Sequence, residues 1–274
     1  MISKFILTGD THGASRVFTR LQNIFLNTDL VPEETAVIIL GDAGLNFWLN
    51  HGERNWKKKI RKVYPAHIYC VRGNHEERPE NLNYPLEYDE NVCGDVYVDP
   101  DNELIRYFMD GGQYNINGHS VLVIGGAYSV DKYYRLMCAG MTEENNNPQV
   151  SSWFNDEQLT ALERRDININ THGKHFDFVL THTCPISWEP RDLFLDFVDQ
   201  SSVDRSTELW LDEVKNRISW NVWCFGHYHA DRIERPFVEQ FYNRYTTLDY
   251  LWSYWNGEEV EARAISKSPL YYAN

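Results

Sequence analysis

Five short segments, Gly9-Asp10-Thr11-His12, Gly41-Asp42, Gly73-Asn74-His75-Glu76, Thr181-His182 and Gly226-His227-Tyr228-His229, place most of the chain's metal-binding chemistry directly after apolar runs. Asp10 and His12 are two positions apart, so on an extended exit from a strand both side chains can point to one side and meet one cation. Asp42 follows a separate strand and can bridge two cations with its two oxygens, while Asn74 offers a neutral amide oxygen that limits the accumulated negative charge. His182 and His227 can complete a second site, and His229 can return to the first. One cation would then take Asp10, His12, Asp42 and His229, and the other Asp42, Asn74, His182 and His227. Two cations about 3.5–4 Å apart can hold a bridging hydroxide for in-line attack on phosphorus and clamp phosphoryl oxygens, which points to phosphate esters. Charge would be stabilised by ions already in place, with no covalent phosphoenzyme. Any one of these residues could merely cap a turn or satisfy a core hydrogen bond. The ordered set favours a metal centre.

The apolar runs that must carry these groups are Phe5-Ile6-Leu7, Val37 to Leu40 and His67 to Val71, each followed by a glycine and a polar residue. They read as buried strands with functional carboxyl ends. Helical spacing of Val17, Leu21, Ile24 and Phe25, and the stretch Trp56 to Val63, supply two crossover helices. From Val96 to Ile124, short strands separated by turn residues predict antiparallel pairing. A helix is expected to open at Asn155-Asp156-Glu157 and carry Leu159 and Leu162, with Trp153-Phe154 as its hydrophobic staple. Phe178-Val179-Leu180 reads as a strand leading into His182, and a helix around Glu208 to Ile218 precedes the strand Val222 to Phe225. Asn145-Asn146-Asn147 is a loop signal. In the tail, Tyr245 to Tyr250 and Val260 to Ile265 are expected to complete a second sheet. One folding domain over 1–274 accommodates both textures, with substrate or lid insertions at 76–95, 127–152 and 184–206.

Composition narrows the partners. The 274 residues include 26 lysines and arginines against 40 aspartates and glutamates, a net charge of −14. An extended nucleic-acid coat is disfavoured, since the phosphate backbone would be repelled. A small anionic substrate remains compatible through metal charge and a few arginines. Five cysteines, Cys70, Cys93, Cys138, Cys184 and Cys224, show no paired spacing and fit no complete disulfide framework, so a reducing compartment is expected. No apolar run reaches the roughly 20 residues of a membrane span, and none has the form of a secretory leader, so the expected location is cytoplasmic.

In order and local motif, the segments from Asp-x-His through Gly-Asp and Gly-Asn-His-Glu to the late histidine and Gly-His-x-His resemble the calcineurin-like metallophosphoesterase superfamily over about residues 4–231. The resemblance implies an α/β fold, a four-layer α/β/β/α sandwich with two mixed central sheets, and maps its metal roles onto Asp10, His12, Asp42, Asn74, His182, His227 and His229. It also implies that His75 lies near the substrate, stabilising phosphate or protonating the leaving oxygen, with Asp42 and His75 as the catalytic pair and Asn74 and His75 touching substrate. A protein-phosphatase subset carries an aspartate and an arginine soon after the bridging aspartate. Here Ala43-Gly44-Leu45-Asn46 follows Asp42, and those partners are absent. The expected activity is a dinuclear metal-dependent phosphomonoesterase, with a phosphodiesterase acting on nucleotides or nucleic acid, or a noncatalytic metal-binding scaffold, as alternatives. Manganese is the expected metal, with iron or zinc compatible with the same donors. The substrate would be a phosphorylated small molecule, a phosphoprotein or a nucleotide.

Specificity is harder to read. Arg78 follows Asn74 closely enough to face the same pocket and bind two phosphoryl oxygens, or to pair with Glu76, Glu77 or Glu80. Asp131, in the glycine-led segment after Ile124, could line the substrate entrance or orient a histidine. Arg16, Arg135, Arg191 and Arg232 are weaker anion contacts. Among the aromatic residues, Trp188, Tyr228, Trp252 and Trp255 could stack on a base, sugar or peptide, core filling being the simpler role. Phe194, Phe197 and Val198 could form a lid or an oligomer contact. Cys184 beside His182 resembles a nucleophile pair, but a metal-ligating imidazole leaves no base for it.

Overall fold

A computed structural model describes residues 1–13, 15–144, 153–194, 200–235 and 237–258. Two mixed sheets form its centre. The first runs β13-β1-β2-β3-β6-β5-β4, with β1 (Lys4–Thr8), β2 (Thr35–Leu40), β3 (His67–Val71), β4 (Leu86–Asp89), β5 (Gly94–Val98), β6 (Ile105–Phe108) and β13 (Thr246–Thr247). The second runs β11-β12-β10-β9-β8-β7, with β7 (Gly112–Ile116), β8 (His119–Ile124), β9 (His175–Thr181), β10 (Ser219–Phe225), β11 (Arg232–Arg235) and β12 (Val238–Gln240). The helices are α1 (Ser15–Asn27), α2 (His51–Val63), α3 (Lys132–Glu144), α4 (Ala161–Thr171), α5 (Ser206–Arg217) and α6 (Leu248–Trp255).

Side-chain alternation along the strands sorts the apolar residues into three packed layers. Phe5, Leu7, Ile38, Leu40 and Val71 of the first sheet meet Val121, Val123, Phe178, Leu180 and Val222 of the second. The other face of the first sheet, including Ile6, Val37, Ile39 and Ile68, packs on Phe18, Leu21 and Ile24 of α1 and Ile60 of α2. The outer face of the second sheet, including Leu122, Ile124, Val179 and Trp223, packs on Ile167 of α4 and Trp210, Leu211 and Val214 of α5. The result is the expected α/β/β/α layering. Each fully buried side chain of this kind contributes roughly 1.5–3 kcal/mol against exposure.

The parallel sets β1-β2-β3 and β8-β9-β10 end at the same edge, because their registers are continuous: Thr8 lies opposite Ile39, Leu40 opposite Val71, and Ile124 opposite Thr181, itself opposite Phe225. Every metal-type segment emerges from that edge.

Four expectations change in detail. The strands from Val96 to Ile124 do pair antiparallel, but as two hairpins in different sheets: β5 with β6, and β7 with β8. The helix expected at Asn155 opens instead at Ala161. Thr160 and Glu163 form a reciprocal capping box there, a stronger start signal than the Asn155 turn, and Leu159 is buried before the helix begins. The segment Tyr245 to Tyr250 gives only the two-residue β13, which pairs with β1 in the first sheet, and then α6. Thr247 caps that helix by accepting from Tyr250 N, and Leu248 and Leu251 pack inward three residues apart, which a strand could not achieve. Within 127–152, residues 132–144 form α3 rather than a loop. Val260 to Ile265, Asn145 to Asn147, Phe197 and Val198 lie outside the described residues.

Of the three expected insertions, 76–95 holds the edge strand β4, and 184–206 holds three short 3-10 turns with Trp188 buried against Trp223. Trp252 and Trp255 pack partly buried against the layer between the sheets. Among the described residues, no helix is long and apolar enough to cross a membrane.

Candidate metal centre

Backbone geometry at the sheet edge is unusual where the metal-type residues sit. Nine non-glycine residues have positive φ among those described, and His12, Asp42, His227 and His229 are four of them. This left-handed conformation is costly for residues with a Cβ and concentrates at functional sites. Glycines make the approach feasible. Gly41 has a φ of +91°, and a Cβ there would overlap the His182 ring; a Cβ on Gly73 would overlap Asp42 Oδ1.

Donor atoms of Asp10, His12 and His229 lie within 4.8 Å of one another, as do those of Asp10, Asp42 and His182. Asp10 therefore joins both groups, whereas the sequence pattern placed it in one. His12 Nε2 and His229 Nε2 are 3.0 Å apart. His182 Nε2 is 3.6 Å from Asp42 Oδ2 and 2.8 Å from Asn74 Oδ1. The His227 ring stands edge-on to His182 with centroids 5.0 Å apart and adds no atom to either group, while its backbone N–H donates to Asp10 Oδ1 at 3.0 Å.

Two features of the hydrogen bonding fit divalent cations. His182 Nδ1 is 2.9 Å from the Leu40 carbonyl, which can only accept, so Nδ1 carries the proton and Nε2 presents a lone pair. Asn74 Nδ2 donates to Ser129 Oγ at 2.8 Å, which leaves Oδ1 facing that lone pair. A cation shared by the two would satisfy both acceptors at once. Asp10 Oδ2 is likewise buried with no hydrogen-bond partner among the described residues.

The electrostatics agree. Burial, and then the charge of Asp42, push the Asp10 carboxyl well above its ordinary range. Burial also acts to raise Asp42, but His182, His75 and His12 and the His75 N–H, which donates to Oδ1 at 2.9 Å, outweigh it and hold that carboxyl well below its ordinary range. Burial lowers His182, and burial followed by the neighbouring His182 lowers His227. Neutral imidazoles are the form that binds a metal. Glu76, only 2% exposed, is pushed up to about 8 by burial and by Asp42. It accepts from Gly73 N at 2.7 Å, bracing the turn that carries Asn74.

A pocket of about 530 Å³ opens beside this cluster, with His12, His75, Phe47, Trp48, Trp56 and Arg135 in its walls. His75 Nε2 is 3.8 Å from Asp42 Oδ2 and 3.4 Å from Arg135 Nη2. Asp131 does not face the cluster directly: it holds Arg135 through a contact to Nε at 2.8 Å, one helical turn away on α3. Arg78 lines a different cavity with Asp110 and Glu163. Its guanidinium is taken up by the carbonyls of Asp156 and Gln158 and by Glu163 Oε1 at 2.6 Å, partners that its sequence neighbours Glu76, Glu77 and Glu80 did not suggest. Arg191 pairs with Glu189 and Arg232 with Asp192, and the Arg16 side chain is outside the description.

Sequence spacing missed Phe47, Trp48 and Ser129 and ranked Arg135 low. Phe47 and Trp48 follow Asp42 by five and six residues, just past Ala43-Gly44-Leu45-Asn46, and two adjacent aromatics so close to that carboxylate are the signal that points to them. Ser129 and Arg135 come from beyond β8 and reach the site only through the fold.

Comparison with known proteins places these observations. No curated relative matches the chain. One solved structure at 11% identity aligns over 90% of this chain and 95% of its own, with a TM-score of 0.43. The family model for calcineurin-like phosphoesterase matches residues 3–231, and that family together with the Asp/His groups supports a metal-dependent phosphoester hydrolase. The match takes in all the strands that carry the clustered side chains and every glycine turn described above, and the chain belongs to the calcineurin-like phosphoesterase family.

Proposed function

We propose that the chain is a phosphomonoesterase working with two divalent cations held by Asp10, His12, Asp42, Asn74, His182, His227 and His229. The observation that carries this reading is the pair of facing acceptors, His182 Nε2 and Asn74 Oδ1, beside the buried carboxylates of Asp10 and Asp42. The nitrogen and oxygen donors suit manganese, with iron or zinc compatible. When bound, such cations supply an activated water and charge neutralisation for the phosphoryl group.

The chain's own residues do the rest. Arg135 sets a guanidinium beside His75 at the pocket wall, where it can bind the terminal oxygens of a monoester dianion. His75, held by its backbone to Asp42, is placed to donate a proton to the leaving oxygen. Asp131 positions Arg135. His75 faces substrate from the pocket wall, whereas both polar atoms of Asn74 are turned to His182 and Ser129, and Arg78 braces the loop before α4. A pocket of this size takes a phosphorylated small molecule or a phosphorylated side chain, and the net charge of −14 opposes an extended nucleic-acid coat. Five cysteines with no paired spacing fit a cytoplasmic setting.

The test is initial rates on p-nitrophenyl phosphate and bis-p-nitrophenyl phosphate with manganese-loaded protein, with Asp42→Asn subtracting contaminating activity. Faster monoester turnover is expected. Preference for the diester would favour the nucleotide or nucleic-acid alternative, and no turnover with metal bound would leave a scaffold.

A further inference from the structure

We infer that the pocket beside His12 and His75 is a subsite for a planar aromatic ring on the leaving-group side of the phosphoester. This rests on the reading of the adjacent cluster as a phosphoester centre and names the substrate class that centre selects.

The wall of the pocket is a loop held open at three successive residues. Glu53, 6% exposed at the start of α2, accepts from Phe47 N at 2.9 Å and from Trp48 N at 2.6 Å. Asn46 Oδ1 accepts from Lys57 Nζ at 2.7 Å, and Lys57, itself 2% exposed, pairs with the buried Asp99 at 2.7 Å. Tyr84 and Tyr107 hydroxyls reach the same Asn46 oxygen at 3.0 and 3.1 Å. A buried polar network of this completeness rigidifies whatever it carries.

What it carries is a tryptophan left 53% exposed. Phe47 and Trp48 meet at 85° with centroids 4.7 Å apart, forming a corner of two aromatic faces, and Trp56 lines the same pocket. Folding gains little from holding a large apolar ring in solvent, whereas a ligand ring gains a preorganised stacking surface. Arg135 marks the boundary between the two ends: its Cζ lies 5.6 Å from the Phe47 ring centre, and its Nη2 lies 3.4 Å from His75. An anion at the Arg135 and His75 end therefore places the organic part of its molecule against Phe47 and Trp48. Two sources carry such a ring: an aryl phosphate, with the ring directly on the ester oxygen, and a nucleoside monophosphate, with the ring one sugar away.

The experiment is calorimetric binding to the manganese-loaded protein of three stable ligands: methylphosphonate, phenylphosphonate and a nucleoside methylenephosphonate. At least one aromatic ligand is expected to bind about tenfold tighter than methylphosphonate, with that margin shrinking to about threefold or less in Trp48→Leu while methylphosphonate is unchanged. Phe47→Leu should act in the same direction. Which aromatic ligand holds the larger margin separates the aryl from the nucleoside source. Equal binding of all three, or a margin that survives both substitutions, overturns the inference. Turnover of p-nitrophenyl phosphate by the same preparation reports separately on the hydrolase: turnover without a margin removes only the aromatic subsite, and a margin without turnover removes only the hydrolase.

Discussion

Ser129 Oγ accepts a hydrogen bond from Asn74 Nδ2 at 2.8 Å, and this contact orients the amide so that its oxygen faces His182. Ser129 is 1% exposed, and its own N–H donates to Glu157 Oε1 at 3.1 Å, so the serine is itself fixed. Partners that orient a ligand are expected to matter about 10–100-fold in metal affinity. Ser129→Ala should therefore weaken manganese binding by roughly tenfold in a calorimetric titration, with little change in the melting temperature of chelator-treated protein. Unchanged affinity would show that Asn74 is oriented by other contacts.

His75 offers a contrast between leaving groups. A positioned general acid contributes roughly 10²–10⁴-fold, and only where the leaving oxygen needs a proton. His75→Gln is expected to lower kcat by about 100-fold on an alkyl phosphate but by much less on p-nitrophenyl phosphate, whose leaving group departs as an anion. Equal losses on both would assign His75 to phosphate binding alone.

Arg78 should behave as a structural residue. Its side chain is 10% exposed and ties the 156–158 loop and Glu163 to the turn after Asn74. Removing the guanidinium leaves the Asp156 and Gln158 carbonyls without their donor, a loss of about 1–3 kcal/mol. Arg78→Ala should lower stability toward urea by about 2 kcal/mol while leaving KM for a small phosphoester within about threefold. A large rise in KM at unchanged stability would restore Arg78 to the substrate site.

Glu208 gives a pH signature at a carboxyl that belongs to neither Asp/His group. It is 4% exposed and accepts from Thr183 Oγ1 at 2.8 Å, and burial pushes its carboxyl up to about 7 from an ordinary 4.5. The folded chain thus keeps this proton to higher pH than the unfolded chain. Its contribution to stability is present below about 4.5 and is lost as pH rises through about 7. Glu208→Gln cannot ionise, so it should match the parent within about 1 kcal/mol near pH 5 and exceed it by about 3 kcal/mol at pH 8.5. Urea denaturation of both chelator-treated proteins at the two pH values measures this, and a difference that does not change with pH would place the titration elsewhere.

How far the architecture could be read depended on the local signal. β2 is buried along its whole length and appears as an unbroken apolar run, and β1, β3, β9 and β10 share that texture at their carboxyl ends, so their ends and the side chains just beyond were legible. The start of α4 is ambiguous in the sequence because Asn155-Asp156-Glu157 and Thr160-Ala161-Leu162-Glu163 are both acceptable openings, and only the second makes the reciprocal cap. Residues 245–250 pass from strand to helix because Thr246-Thr247 favours a strand while the aromatic spacing after it suits one face of a helix. Trp188, Trp252 and Trp255, plausible stacking residues by composition, serve the packing, and the aromatic residues that line the pocket are Phe47, Trp48 and Trp56.

The amino-acid order by itself determined the strands, the glycine turns at their ends and the donor types that follow, because each of these depends on residues close together in the chain. Tertiary structure alone decided that Asp10 would belong to both ligand groups, that Arg135 rather than Arg78 would reach His75, and that Ser129 would turn Asn74 toward His182. Asn74 and Ser129 are 55 positions apart, His75 and Arg135 are 60 apart, and Asp10 meets residues as distant as His229, so only the packing of the layers brings these atoms within a few ångströms.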